Sequence, residues 1–381
     1  MINIDSTIET DYSSFDKPRP YFSLHKPDIE KLEGLEKDFE NLILIGNGGS
    51  VTSFRALTYA FRDQHDKNIE IVTTVEPGYL RHVESSVKKE ETLVMPVSKS
   101  GSTTGVIEST LYFLEKGYEV MPLTTDHDSP LKTIAERKGL ETVDHPEIGG
   151  RFTGLSETAL APASLIGLDI RSIFEGGRDM HKRFAPGKPN KASKMAEQLL
   201  EAENRGFNEV LTPFYSTRLF GFYPLLVQLM HESVCKKGEG QTFYGDLGPE
   251  YQHHTNQRLF GGRDNVLPVF VESTHEHQDL KIPEGLEDVE LRGRKLEEFG
   301  MLSYEESLNA ESQGVKEALE SEDRPFIELE LEEFSYSSVG GFMAFLQFLA
   351  VYSSWLRGVD PFNQPDVEKS KQKGFEARFG E

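Results

Sequence analysis

Hydrophobic and polar positions follow two periods along this chain. Short apolar, β-branched runs at 42–45, 69–75, 92–97 and 119–124 read as buried strands. Between them, apolar residues recur at helical spacing near 51–63, 78–88, 103–116 and 130–138. Strands alternating with helices predict a doubly wound parallel sheet with helices on both faces. A second unit of the same kind follows, with helix 191–204, strand 208–214, a long apolar helix near 218–235 and strand 267–271. It continues through helix 304–320 and strand 326–331 to a final apolar helix at 340–356. The fold class expected is α/β, two doubly wound, flavodoxin-like domains.

Breaks in the pattern set the expected boundaries. Residues 1–30 are polar, hold Pro18, Pro20 and Pro27, and read as an irregular N-terminal arm, followed by a short helix near Lys31 to Asp38. The first domain is expected over 31–189 and the second over 190–358. Between them Pro186-Gly187-Lys188-Pro189-Asn190 cannot continue a helix. The connector from Glu141 to Pro189 is irregular, with one helical stretch from Ser156 to Leu168. Residues 273–300 are charged and read as an exposed excursion. The tail, 359–381, is polar, and composition alone would class it as a frayed end.

Composition narrows the function classes. A chain of 381 residues, 37% hydrophobic and 10% aromatic, has the makings of an ordered core. Its 64 acidic residues against 41 basic ones leave a net charge of −23. Such a surface repels nucleic acid and anionic membranes, so neither is expected as a partner, and an anionic ligand needs a locally positive pocket. The acidity also leaves open a salt-rich cytoplasm, where screening makes the repulsion tolerable. The single cysteine, Cys235, excludes an internal disulfide framework and a structural zinc cluster. With no leader-like N-terminal segment and no run of about 18 apolar residues, the expected location is the cytoplasm.

The candidate chemistry starts where two strands stop. Leu42-Ile43-Leu44-Ile45 runs into Gly46-Asn47-Gly48-Gly49-Ser50, and Val94-Met95-Pro96-Val97 runs into Ser98-Lys99-Ser100-Gly101-Ser102-Thr103-Thr104. Glycines such as Gly48 and Gly49 let the backbone approach a ligand, and the next helix offers unpaired N–H groups to an anion. Ser98, Ser100, Ser102, Thr103 and Thr104 crowd around Lys99 as a shell for phosphate oxygens. Neither stretch is a Walker loop or a dinucleotide fingerprint. Each alone also reads as a plain strand-to-helix turn with good capping residues.

Four further places carry chemistry-bearing residues. Gly149-Gly150-Arg151 couples a free backbone at Gly150 to a planar cation suited to an oxyanion, although alone it is also a turn with a surface arginine. Glu232 ends an apolar helix, where a carboxylate at the rim of apolar packing suits a general base; the bland reading is a solvated helix end. Gln252-His253-His254 brings imidazole, which suits proton shuttling. Adjacent histidines on a helix diverge, so no shared metal is expected. Lys371 lies in a charged run and by itself is only a solvated ammonium.

In order, these pieces resemble the glucose-6-phosphate isomerase family, built from two sugar isomerase (SIS) type domains, over about Asn41 to Lys373. The anchors are the two loops above, Gly149-Gly150-Arg151-Phe152-Thr153, His231-Glu232-Ser233, Gln252-His253, and Asn363-Gln364-Pro365-Asp366-Val367-Glu368 through Lys371. The resemblance implies reversible aldose-ketose isomerisation of a sugar 6-phosphate through a cis-enediol(ate), without metal or other cofactor. It implies that Ser50, Ser98, Lys99, Ser100 and Thr103 hold the phosphate, with Gln364 nearby. Glu232 would move the proton between C2 and C1, Arg151 would stabilise the enediolate, and His253 and Lys371 would assist ring opening. In this family the histidine comes from a neighbouring subunit, so a homodimer is implied, and the tail contributes to the site as a helix. The alternatives are a bifunctional phosphoglucose/phosphomannose isomerase and a non-catalytic sugar-phosphate sensor.

Overall fold

The structure, a computed structural model, describes residues 1–10, 15–274, 279–283, 285–286, 288–300 and 302–380. The chain opens with β1 (Ile2–Ser6) and α1 (Ile29–Glu33). Next come β2 (Asn41–Ile45), α2 (Thr52–Ala60), β3 (Asn68–Val72), α3 (Pro77–Ser86), β4 (Thr92–Ser98), α4 (Thr104–Glu115), β5 (Glu119–Val120), β6 (Leu123–Thr124), α5 (Pro130–Lys138) and β7 (Val143–Asp144). Two helices, α6 (Glu157–Leu165) and α7 (Ile170–Arg183), lead on to α8 (Lys191–Asn204), β8 (Glu209–Phe214), α9 (Tyr223–Val234), β9 (Thr242–Leu247), α10 (Thr255–Gly261) and β10 (Val266–Ser273). A hairpin of β11 (Glu290–Leu291) and β12 (Arg294–Lys295) precedes α11 (Leu296–Phe299), α12 (Tyr304–Ser321), β13 (Ile327–Leu331), α13 (Tyr336–Leu356) and α14 (Pro365–Ala377). Residues 275–278, 284 and 287 of the excursion expected at 273–300 lie outside the described residues.

The first sheet runs β3-β2-β4-β6-β7, with β5 also on β4, and its pairings are parallel. From β2 the chain goes out to β3 and returns to β4 on the other side. The crevice at this switch point, where ligands bind in such sheets, is where the glycine loop and the Ser/Thr loop begin. The second sheet runs β1-β13-β10-β8-β9. It is parallel except for β1, which lies antiparallel to β13 with Ile2 opposite Leu331. The first residues of the expected arm are thus an edge strand of the second sheet.

Alternation within strands builds the layers. In β2, Leu42 and Leu44 face one side and Ile43 and Ile45 the other, and all four are buried. A parallel strand covered on both faces has no reason to alternate polar with apolar. Ile43, Ile45 and Val94 meet α3 and α4 through Leu80, Val83, Val106 and Phe113. Leu42 and Leu44 join Val210, Val269 and Ile327 of the other sheet in a single core between the halves. Through that core runs α13, buried from Val339 to Ser354, packed on α7, α8 and α9. It is long and apolar enough to cross a membrane, but 89% of its apolar window is buried inside the protein. Its length comes from two-sided packing.

Candidate active site

The Ser/Thr loop is held from below. Ser98, the buried last residue of β4, has its Oγ 3.1 Å from Thr103 Oγ1. Its carbonyl accepts from Thr124 Oγ1 at 2.8 Å, and the Lys99 carbonyl accepts from Thr125 Oγ1 at 2.9 Å. Residues 124 and 125 thus fix the loop so that Ser100, Ser102 and Thr103 stay on its open side. Thr103 is the N-cap of α4 and makes no side-chain bond to that helix. Helix N–H groups and loop hydroxyls therefore converge on a cleft of about 710 Å³ that also includes Asn47, Lys371 and Arg378. The Lys99 ammonium turns instead toward Glu147, at 3.2 Å. Lys371 reaches the cleft from α14 while paired with Glu368 at 2.7 Å. Ser50 ends a one-turn 3-10 segment, Gly48–Ser50, and is half-buried.

A second pair of loops meets backbone to backbone. A Cβ on Gly49 would lie 2.0 Å from the carbonyl carbon of Gly150, so glycine is required for this contact. The contact seats Arg151, only 2% exposed, against the glycine loop. Every guanidinium N–H has an acceptor: Nε donates to Ser233 Oγ (2.8 Å), Nη1 to Glu232 Oε2 (3.1 Å) and Gln364 Oε1 (2.8 Å), and Nη2 to the Pro361 (2.5 Å) and Asn363 (3.2 Å) carbonyls. Burial lowers the Arg151 pKa from its ordinary value, and the Glu232 carboxylate opposes that shift.

Glu232 is fixed through both oxygens. One turn earlier on α9, Gln228 donates from Nε2 to Glu232 Oε1 at 3.0 Å, and its own Oε1 accepts from Thr52 Oγ1 at 3.1 Å. The Glu232 side chain is 26% exposed and opens, with Gly48, Thr52, Tyr223 and His231, onto a cleft of about 470 Å³. Beside it, His231 Nε2 accepts from the Phe243 N–H at 2.8 Å, and burial lowers its pKa. Asn47 lines the Ser/Thr cleft and Gly48 lines this one, so a single turn separates the two.

Of the residues singled out in the sequence, Arg151, Glu232 and Gln364 form one hydrogen-bonded set. Ser100, Thr103 and Lys371 share the adjoining cleft, with Ser98 bonded beneath them. His253 stands apart. It ends the turn Glu250–His253 and is exposed, and among the described residues no contact links it to Glu232 or Arg151. Its neighbour Gln252 donates to Tyr215 Oη (2.7 Å) and the Glu311 carbonyl (3.1 Å). Sequence reasoning missed Gln228 and Lys236, and it named Ser233 only as part of the His231-Glu232-Ser233 anchor, with no role of its own. The one available signal was spacing, with Gln228 and Lys236 four residues on either side of Glu232.

No family model matches the chain. A probable glucose-6-phosphate isomerase of Haloarcula marismortui is 30% identical over 347 residues, spanning 88% of this chain and 77% of the relative. A glucose-6-phosphate isomerase of Thermus thermophilus is 32% identical over 350 residues, spanning 87% and 82%. The crystal structure of a hypothetical protein, also from Thermus thermophilus, superposes with a TM-score of 0.82 at 28% identity, covering 93% of this chain and 87% of that one. With likeness of this extent running through both sheets and the residues between them, the chain belongs to the glucose-6-phosphate isomerase family.

Proposed function

We propose that the chain carries out its family's reaction, the reversible isomerisation of glucose 6-phosphate and fructose 6-phosphate, with Glu232 as the base that moves the proton between C2 and C1. The observation that carries this assignment is a carboxylate gripped through both oxygens by Arg151 and Gln228 while open to a cleft beside the glycine loop. The substrate phosphate anchors at Ser98, Ser100 and Thr103 over the α4 N-terminus, with Ser50, Lys99 and Gln364 in support. Remote binding energy is thereby converted into alignment of the reacting carbons. As C2 loses its proton, negative charge spreads over an enediolate. Arg151 has no spare N–H, so it acts through its fixed charge, or through Nη1 when a substrate oxygen replaces the Gln364 side chain. The proton returns to C1 from the same carboxyl group. Lys371, with a His253 supplied by a second copy of the chain, opens the sugar ring.

The test is a coupled assay with fructose 6-phosphate. Glu232→Gln lowers kcat by about 10²- to 10⁴-fold, the usual contribution of a positioned acid/base, and leaves KM nearly unchanged. A variant with most of its turnover rules Glu232 out as the base. Mixing Glu232→Gln with His253→Ala, each nearly inactive alone, restores a sizeable fraction of activity if histidine and glutamate come from different copies, because one of the mixed sites is then intact. No recovery after subunit exchange places both residues in one chain.

A further inference from the structure

Arg151 is clamped between the last turn of α9 (Glu232, Ser233) and the turn after α13 that carries Pro361, Asn363 and Gln364. These two segments are far apart in sequence, and something must hold them in register. Asp360 organises its own turn: Oδ1 accepts from the Phe362 N–H and Oδ2 from Asn363 Nδ2, both at 2.9 Å. What joins that turn to α9 is Lys236. Its Nζ donates to the Ser233 carbonyl at 2.8 Å and also to the Asp360 carbonyl. The Ser233 carbonyl accepts a second bond, at 3.0 Å, from Ser354 Oγ near the end of α13.

We propose that Lys236 is a positioning residue for the isomerisation, bolting the 360–364 turn to α9 so that Arg151 and Gln364 are held in place beside Glu232. The proposal rests on the catalytic reading given above. An ammonium donating to two carbonyls makes charge-assisted bonds, roughly twice as strong as neutral ones, and it replaces a contact that no side chain on the turn makes by itself. Position also matters. Lys236 lies four residues beyond Glu232, just past Cys235 at the C-terminal end of α9, so the residue that fixes the turn follows directly on the helix that carries the proposed base.

The environment gives this bolt an electrostatic cost. Burial and the nearby Arg151 charge lower the Lys236 pKa to about 8, with Asp360, Glu232 and Cys235 opposing. A lysine placed only for stability has little reason to face a buried arginine. Its placement follows if the turn it fixes is the one that carries Arg151's acceptors.

The experiment compares the wild type with Lys236→Met and Lys236→Arg in the coupled assay and by hydrogen exchange of the backbone over 359–364. Lys236→Met is expected to lower kcat at least tenfold, more than it raises KM, and to speed exchange of that segment at least fivefold. Lys236→Arg, which keeps a long cation with several N–H donors, is expected to recover kcat to within about threefold of the wild type. Lys236→Met with kcat within twofold of the wild type overturns the proposal, as does an arginine variant as slow as the methionine one. Unchanged exchange over 359–364 overturns it whatever the assay shows. A wild-type protein that does not interconvert the two sugar phosphates fails the isomerase reading instead, and the exchange comparison still decides whether Lys236 holds the turn.

Discussion

At Gly49 a single missing carbon decides where a buried arginine lies. A Cβ there would stand 2.0 Å from the Gly150 carbonyl carbon and 2.4 Å from the Arg151 nitrogen, with backbone on both sides and no flexible side chain to yield. Gly49→Ala must therefore push the Gly149–Arg151 segment away from the glycine loop. Overpacking of this kind costs about 1–3 kcal/mol, and here the displaced atoms carry the partner of Glu232. The expected outcome is a lowered urea midpoint together with a kcat loss of at least tenfold; a variant less stable but fully active would show that Arg151 keeps its place without the contact. The glycine pair, the arginine and the glutamate were all legible in the sequence as residue types. What no pattern could supply was their pairing. Gln228 looks like an ordinary polar position on a helix and Lys236 like a solvated charge past its end, and their roles come from Thr52 and Asp360, which are distant in sequence.

At the scale of elements the chain wrote its parallel strands plainly and its exceptions faintly. The runs at 42–45 and 92–97 lie within β2 and β4 because strands buried on both faces need continuous apolar sequence. β1 escaped notice because it is half-buried: Ile2 alternates with polar Asn3 and Asp5 in a stretch too short and too near proline-rich chain to stand out. α7 was hidden in the connector by its many charges and by Gly176-Gly177. Yet its buried positions, Ile170, Ile173, Phe174, Gly177 and His181, fall on one helical face. Those glycines are what let it touch α13. A Cβ on Gly176 would meet the Ser337 carbonyl oxygen at 2.0 Å, and one on Gly340 the Ile173 carbonyl oxygen at 1.9 Å. Gly340→Ala is accordingly expected to force the two helices apart. Folding should lose about 1–3 kcal/mol, read by urea unfolding, with kcat of the folded fraction within about twofold because Gly340 contacts no residue of the site. An unchanged urea midpoint would mean that the helices separate without penalty.

Over the whole molecule, two terms set how the fold responds to acid, and they pull in opposite directions. The first is the net charge of −23, whose self-repulsion eases as carboxylates take up protons. Ordinary carboxyl groups do so mainly below about pH 5. The second comes from the histidines that burial holds neutral, above all His181 and His145, with His65 and His231 shifted in the same direction. His181 lies between α7 and α13 with Nε2 3.1 Å from Gln347 Oε1, and Gln347 in turn donates to the Phe152 carbonyl beside Arg151. His145 sits at the end of the first sheet with Nδ1 2.7 Å from the Pro146 carbonyl. Burial pushes His181 and His145 each down to about 4. In the unfolded chain both titrate near 6.5, so below that pH the unfolded state binds more protons than the native one. Their contribution is complete above about pH 6.5 and is lost as pH falls toward 4, on the order of 2 kcal/mol for each histidine by pH 5. The histidine term therefore leads between pH 6.5 and 5, before relief of the acidic surface begins. The unfolding free energy in urea is expected to fall between pH 7.5 and 5, and His181→Leu to make that slope clearly shallower even though it lowers stability at pH 7.5. A wild-type stability flat across this window, or a leucine variant with the same slope, would mean that His181 is already protonated in its site or that water reaches it there.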